Sequence, residues 1–184
     1  MTKNKHFFGW KPDRPDFRDK KYMIPSHLTA DVLPSVVDLR PKMPEVYTQS
    51  LGSCTGQSIA ADCHYQLIIQ KVPVWKPSPL FIYYNERLIE GTVMQDSGAE
   101  LRNGMKAINR WGICTEQSWP YDVSKFKTKP SRAAYNEASR RKILDYTRIP
   151  QTLIHLKSVL AQNDPFIFGF SVSYIYGALI KYFN

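Results

Sequence analysis

The stretch Gln49-Ser50-Leu51-Gly52-Ser53-Cys54-Thr55-Gly56-Gln57-Ser58 leads into the longest helix that the sequence predicts. Ser53 is a preferred residue at a helix N-cap. An apolar stripe follows at four-residue spacing, formed by Ile59, Cys63 and Leu67. The pattern predicts a helix over residues 54–71, because Pro73 cannot continue it. Cys54 is therefore expected to open this helix.

Cys54 stands where a thiol is most easily ionised. The first N–H groups of a helix have no partner within it, and together with the helix dipole they stabilise an anion. The pKa of Cys54 is therefore expected below the ~8.5 of a free thiol, which would make it a nucleophile. Gly52 allows a close approach of the backbone to a ligand, and the Gln49 amide is able to donate to an oxyanion. The alternative is that Cys54 is a small structural residue in a glycine-containing turn.

Three further helices carry start and stop signals. Their starts are marked by Ser78 with Pro79, by the capping-box pair Ser97 and Glu100, and by Ser131. Their ends are expected at Gly91, Gly112 and about Lys142. These signals predict a largely helical body between residues 54 and 142.

Strand signals lie mostly after the helices. Residues 36–41, 143–149 and 165–172 have β character, and a helix is expected near 152–162. Helices first and strands last predict an α+β fold with segregated layers. Because the strand at 165–172 needs partners, we expect that a β-rich portion should follow this sequence.

Composition limits the classes of function. Hydrophobic residues make up 43% of the chain, which argues against disorder, and the net charge of +9 permits acidic partners. Three cysteines are too few for a disulfide framework or a four-cysteine zinc site, so no metal and no cofactor is expected. Residues 1–10 lack a signal-peptide core, and the charge-free run 165–180 is shorter than the ~18 residues of a membrane span. A cytoplasmic, reducing location follows.

Several motifs, in order, resemble the papain-like cysteine peptidases. The family's entry Asp-Trp-Arg, then Gln, then Gly-Ser-Cys is matched by Asp38-Leu39-Arg40, Gln49 and Gly52-Ser53-Cys54. Later matches are residues 78–85, Asp96-Ser97-Gly98, Gly112-Ile113-Cys114 and Trp119-Pro120-Tyr121. The opening residues 9–13, with Arg18-Asp19, are similar to a branch of the family found in prokaryotes and large DNA viruses.

The resemblance implies a domain organisation. It implies a papain-like α+β fold with a helical left domain and the beginning of a β-rich right domain. Residues 1–35 would form an extended N-terminal arm, 36–150 the helical domain that carries the nucleophile, and 151–184 an incomplete start of the β-rich domain. The arm is expected not to be an inhibitory propeptide, because such propeptides are normally longer and helical in this family.

The resemblance also implies roles for single residues. Cys54 matches the nucleophile, and Gln49 matches the glutamine that forms the oxyanion hole with the backbone N–H of the nucleophile. The substrate-binding positions are Gly52, Ser53, Ser97 and Gly98. Three features differ from the family pattern: Gln49 precedes Cys54 by five residues rather than six, Thr55 replaces the usual tryptophan, and a single glycine stands at the Gly98 turn where the family has a Gly-Gly pair.

The family's mechanism needs an imidazole in contact with the thiol. The four histidines, none of which stands in a matching context, are His6, His27, His64 and His155. His64 is ten residues along the helix from Cys54, or roughly 15 Å, and is therefore not the partner. The catalytic His and Asn would come from a missing segment, so this chain alone is expected to be inactive.

Two functions remain at this point. The first is a thiol peptidase that acts on a peptide or protein substrate in the cytoplasm, or in the virion if the source is viral. The alternative is a non-catalytic papain-like binding module that contacts nucleic acid. The basic cluster that would make such a contact comprises Lys125, Lys127, Lys129, Arg132, Arg140, Arg141 and Lys142. Its sequence lacks regular aromatic interleaving, so weak binding is expected and a solvated face is the simpler interpretation.

Overall fold

A computed structural model describes residues 8–175 and 178–183, with side chains as far as residue 171. The five α-helices of these residues are α1 (Cys54–Ile69), α2 (Pro79–Glu90), α3 (Leu101–Arg110), α4 (Arg132–Ala138) and α5 (Leu153–Ala161). The strands are β1 (Trp10–Lys11), β2 (Ala99–Glu100), β3 (Phe170–Ile175) and β4 (Ala178–Phe183). No helix in these ranges has the length and apolar character needed to cross a membrane.

Helix α2 lies between α1 and α3 and contributes to both apolar clusters of the core. Its residues 79–87 are all buried. The predicted boundaries of α2 are confirmed, because Ser78 accepts a hydrogen bond from the Phe81 N–H and Gly91 ends the helix in the left-handed conformation. This packing fixes where the start of α1 lies relative to the loop that follows α2.

The strands form two separate pairs. Strand β1 of the arm pairs with β2 in parallel, with Trp10 opposite Ala99. Strands β3 and β4 form an antiparallel hairpin, with Phe170 opposite Phe183. Within the described ranges, each of these sheets has two strands. The predicted strand at 165–172 therefore begins later than expected, at Phe170.

Two predicted strands are wrong. Residues 36–41 contain a 3-10 turn at Arg40–Lys42, where the Asp38 carboxylate accepts hydrogen bonds from the backbone and side chain of Arg40. Residues 143–149 contribute a single bridge, between Arg148 and Lys21. β-branched residues alone do not make a strand when local side-chain hydrogen bonds offer the backbone another conformation.

Helix caps also differ from two predictions. Glu100, rather than Ser97, is the N-cap residue of α3, and its side chain makes no capping bond. The Asp13 carboxylate of the arm takes that place, accepting from the Arg102 N–H at 3.1 Å. Helix α4 starts after Ser131 as predicted but ends at Ala138, four residues before Lys142.

The arm is fastened to the helical body by charged groups. The Arg102 guanidinium donates two hydrogen bonds to the Asp19 carboxylate, at 2.9 and 2.6 Å. Both side chains are shielded, at 8% and 11% exposed. Lys11 reaches Glu90 at 2.9 Å. These contacts hold residues 10–19 across the N-terminal ends of β2 and α3.

Candidate active site

Cys54 is the first residue of α1 and lies in a groove between two loops. One loop, residues 50–53, leads into α1, and the other, residues 92–98, connects α2 to β2. The backbone of Gly9 lies between them, where the Ala99 N–H donates to the Gly9 carbonyl at 2.8 Å. The Gly9 backbone also lies near enough to the Cys54 thiol to lower the pKa of that thiol. The structure thus places one extended main chain directly over the cysteine.

The groove has no room for a side chain at this point. A Cβ added to Gly9 would lie 1.7 Å from the Gly52 carbonyl oxygen. A Cβ added to Gly98 would lie 1.9 Å from the Gly9 carbonyl oxygen. Gly98 also has a positive φ of 68°, which favours glycine. Gly52 and Gly98 are therefore brought together, as their predicted roles require.

The expected direction of the Cys54 pKa shift is wrong. Burial raises the pKa of Cys54 above its ordinary value, and the Glu86 carboxyl acts in the same direction. Hydrogen bonds from the backbones of Gly9 and Thr55 lower it, but by less. Helix-start stabilisation is thus outweighed, because the arm and the body remove the thiol from water.

A buried carboxyl group lies next to the cysteine. Glu86 on α2 is fully buried, and its Oε2 accepts a hydrogen bond from the Thr55 hydroxyl at 2.8 Å. Its other oxygen, Oε1, has no hydrogen-bond partner among the described residues. Burial raises the pKa of Glu86 to about 8. Thr55, where the family usually has tryptophan, thus connects the start of α1 to an ionisable group that no sequence motif indicates.

The remaining predicted site residues lie beside the groove with other contacts. Ser53 is fully buried, and its hydroxyl contacts the Tyr121 hydroxyl at 2.7 Å rather than capping α1. The Ser97 hydroxyl donates to the Gly98 carbonyl at 2.9 Å and contacts the Thr92 hydroxyl at 2.8 Å, within its own loop. Gln49 is half-buried in the segment before the groove. Ser53 and Ser97 thus support the loops that line the groove.

The three histidines that the structure describes lie away from Cys54. His64 Nδ1 contacts the Tyr47 hydroxyl at 2.9 Å, and His155 Nδ1 contacts the Thr152 hydroxyl at 2.6 Å. His27 is exposed in the arm, and His6 lies outside the described residues. No histidine in the described part of the chain hydrogen-bonds to Cys54. The same residues contain no group of three or more His, Cys, Asp or Glu side chains that could hold a metal ion.

The basic cluster is largely solvent-exposed. Lys125 pairs with Asp122, and Arg141 pairs with Glu137 and stacks on the Trp75 ring at 4.3 Å. Other members, which are exposed, are Lys127, Lys129, Arg132, Arg140 and Lys142. Part of the cluster therefore has intramolecular partners.

Known proteins resemble this arrangement. The structure of xylellain, a cysteine protease from Xylella fastidiosa, matches with a TM-score of 0.84 and 41% sequence identity, covering 90% of this chain and 67% of xylellain. An uncharacterised peptidase C1-like protein of Acanthamoeba polyphaga mimivirus is 37% identical over 190 residues, covering 90% of this chain and 61% of that protein. This chain thus spans about three fifths of the mimivirus protein's length.

A more distant structure shares the fold alone. Digestive procathepsin L 3 from the larval midgut of Tenebrio molitor matches with a TM-score of 0.57 at 18% identity, covering 79% of this chain and 47% of that protein. No family model matches the chain. The α+β fold is papain-like, and the fold and the xylellain match together identify the chain as a member of the papain-like C1 family of cysteine peptidases.

Proposed function

We propose that the protein is a papain-like thiol peptidase in which Cys54 is the nucleophile. The observation that carries the proposal is the groove at Cys54, where the Gly9 main chain lies between Gly52 and Gly98 and its carbonyl accepts a hydrogen bond from the Ala99 N–H. A substrate peptide would use the same glycine-lined edges after the arm has left. The relation to xylellain, described as a cysteine protease, supports the same chemistry.

The Cys54 sulfur would attack the carbonyl carbon of the scissile peptide bond, and the carbonyl oxygen would become an oxyanion. The backbone N–H of Cys54 is one donor for that oxyanion, and the Gln49 amide is the second. The C–N bond then breaks, the amine product leaves with the proton that the base took from the thiol, and water hydrolyses the thioester to the acid product and free Cys54. Two oxyanion donors of this kind typically contribute about 10²–10³-fold each to the rate. Gly52 and Gly98 would bind the substrate main chain, with Ser53 and Ser97 behind them.

The proton of the thiol needs an acceptor. Because no histidine of the described residues contacts Cys54, the imidazole would come from outside them. General-base assistance typically contributes about 10²–10⁴-fold, so the chain by itself would turn over peptides very slowly. We assign residues 1–35 to the arm, 36–150 to the domain of the nucleophile, and 151–184 to the beginning of the second domain.

Hydrolysis is tested by supplying an imidazole from a related protein. The part of xylellain that lies outside the shared span is fused to this chain, and cleavage of a quenched fluorescent peptide library is measured. We expect hydrolysis that Cys54→Ala abolishes and that the matched control Cys63→Ala retains. Hydrolysis that survives Cys54→Ala, or its absence from a folded fusion protein, would refute the proposal.

The second candidate, a non-catalytic module that binds nucleic acid, is favoured by the exposed cations of the basic cluster. Binding of a generic single-stranded oligonucleotide is expected to be weaker than micromolar at physiological salt, without sequence preference. Titration at several salt concentrations measures it, with Lys127→Ala/Lys129→Ala as the test variant and Lys20→Ala as the control. A tight, sequence-selective complex would favour this candidate over the peptidase.

A further inference from the structure

The two loops of the groove are joined by one carboxylate. Asp96, in the loop after α2, accepts the Gly52 N–H with both of its oxygens, each at 3.0 Å. Gly52 lies 44 residues earlier, in the loop that leads into Cys54. A hydrogen bond to a charged acceptor is about twice as strong as one between neutral groups. The walls of the groove are therefore connected through a side chain to which the site described above gives no role.

Tyr83 extends this connection to the second glycine. Its hydroxyl donates to Asp96 Oδ1 at 2.6 Å and accepts from the Gly98 N–H at 3.0 Å. The ring is fully buried, so the hydroxyl is held in one place. The chain of contacts runs from Gly52 through Asp96 and Tyr83 to Gly98. We call these four residues the clasp.

A buried arginine braces the clasp. The Arg87 guanidinium lies over the Tyr83 ring, 4.1 Å from its centroid. It donates to the backbone carbonyls of Val93 and Gln95 at 2.9 and 3.0 Å. Arg87 is fully buried and thereby fixes the loop that presents Asp96. Of the four residues of the clasp, Tyr83 is thus held on helix α2, and Asp96 is held in a loop that is hydrogen-bonded to Arg87.

The groove is narrow where Gly9 lies between Gly52 and Gly98, and we call this position the seat of Gly9. A Cβ on Gly52 would already lie 3.4 Å from the Gly9 Cα and 3.5 Å from the Gly98 nitrogen. A Cβ on Gly9 itself would collide with the Gly52 carbonyl. If the two loops separated, this position would have room for a side chain. Gly52 and Gly98 would then no longer contact a main chain from both sides.

We propose that Asp96 and Tyr83 are positioning residues that hold the two glycine loops at the separation of one extended peptide backbone. In this arrangement, a strand parallel to β2 fits only with glycine at the seat of Gly9. The importance of this width for substrates rests on the proposed peptidase function. The clasp itself is tested without turnover, so the two can fail separately.

The first experiment measures coupling through the clasp in the full chain. Tyr83→Phe removes the hydroxyl but leaves the Asp96 bonds to Gly52 in place. Hydrogen exchange of the Gly98 amide, which loses its acceptor, is expected to accelerate about threefold to tenfold. The Gly52 amide is expected to accelerate as well, because Asp96 is no longer held from behind. Tyr135→Phe, which removes another buried hydroxyl hydrogen bond, is the control and is expected to leave both amides unchanged. Unchanged exchange at Gly52 would overturn the proposal.

The second experiment is a double-mutant cycle between the seat and the clasp. Gly9→Ala is expected to accelerate exchange of the Ala99 amide, which donates to the Gly9 carbonyl. In the Asp96→Ala background, the same substitution is expected to have a much smaller effect, since the loops can then separate. Asp96→Asn, which keeps one acceptor oxygen, is expected to be intermediate and replaces Asp96→Ala if that variant does not fold. Additive effects, equal to those in an Asp38→Ala control background, would show that Asp96 does not set the width.

Discussion

Cys54 and Cys63 lie nine residues apart on the same helix and have different surroundings. Cys63 packs against the apolar cluster of Ile59 and Ile82, and burial beside Asp62 raises its pKa to about 12. Cys54 is also shielded, and its pKa is also raised, but backbone hydrogen bonds from Gly9 and Thr55 oppose the rise. The cover over Cys63 is the folded core, whereas part of the cover over Cys54 is a single strand of the arm. We therefore expect the reactivity of Cys54 to depend on whether the arm stays in place, and not on helix position alone.

Displacing the arm from Gly52 is expected to give the largest difference between the alkylation rates of Cys54 and Cys63. Gly9→Ala places a Cβ against the Gly52 carbonyl, so we expect the arm to open locally. Alkylation of Cys54 by iodoacetamide is expected to accelerate about tenfold or more, because each decrease of about 1.4 kcal/mol in the free energy of opening the arm raises the open population tenfold. Alkylation of Cys63 is expected to remain slow and unchanged. Peptide mapping by mass spectrometry measures both sites.

The matched control for this variant is Gly91→Ala. Gly91 has a positive φ of 70°, so alanine is strained there, but no atom lies within 4 Å of the added Cβ. We expect a loss of global stability without any change in the ratio of Cys54 to Cys63 labelling. A rise in that ratio for both glycine variants would mean that general destabilisation, rather than the arm, exposes Cys54.

A smaller effect is expected from the fastening of the arm. Asp19→Asn weakens the shielded ion pair with Arg102 while β1–β2 pairing and the Asp13 cap of α3 remain. Cys54 alkylation is therefore expected to accelerate by about threefold to tenfold, less than in Gly9→Ala. Asp16→Asn changes a neighbouring carboxylate whose partner, Arg18, is exposed, and it is expected to have no effect. Equal acceleration in both variants would contradict the assigned role of Asp19.

The helical part of the fold follows closely from the sequence, and the groove does not. Caps and stops such as Ser78 and Gly91 act within a few residues, so the limits of α2 could be predicted. Asp96 was part of a recognised glycine turn, but its bond to Gly52 depends on how two distant loops pack. The arm's position over Cys54 has the same origin. This long-range burial is also why a pKa that local helix geometry would lower is raised instead.

The smallest expected effect on Cys54 alkylation comes from Glu86, a group that also affects stability. Its folded-state pKa of about 8 lies above its unfolded value near 4.5, so the native state holds a proton that the unfolded state releases. Stability is therefore fully present below about pH 4.5 and is lost as pH rises toward 8. Glu86→Gln removes this loss while the amide oxygen keeps the Thr55 bond. Asp62, whose pKa burial raises to about 7, still contributes a similar loss in both proteins.

Urea unfolding at pH 5 and pH 8 measures the Glu86 effect. We expect wild-type stability to fall more steeply than that of Glu86→Gln, with a difference of about 1–3 kcal/mol. Because the Glu86 charge raises the Cys54 pKa, alkylation at pH 8 is also expected to be about twofold faster in the variant. Glu45→Gln, which alters an exposed carboxylate paired with Lys76, is the control. Identical pH dependence in wild type and Glu86→Gln would show that Glu86 does not titrate in this range.

The most direct test of Cys54 as the reactive thiol is competition among the three cysteines of the native chain. Brief labelling with iodoacetamide near pH 7 is followed by peptide mapping of Cys54, Cys63 and Cys114. Burial raises the pKa of Cys63 and of Cys114 to about 12 each, so these two cysteines have the smallest fraction of reactive thiolate. We expect Cys54 to be labelled first, with a modest preference in the wild type and a larger one in Gly9→Ala. Equal labelling of all three cysteines, or preferential labelling of Cys114, would make Cys54 an ordinary structural residue.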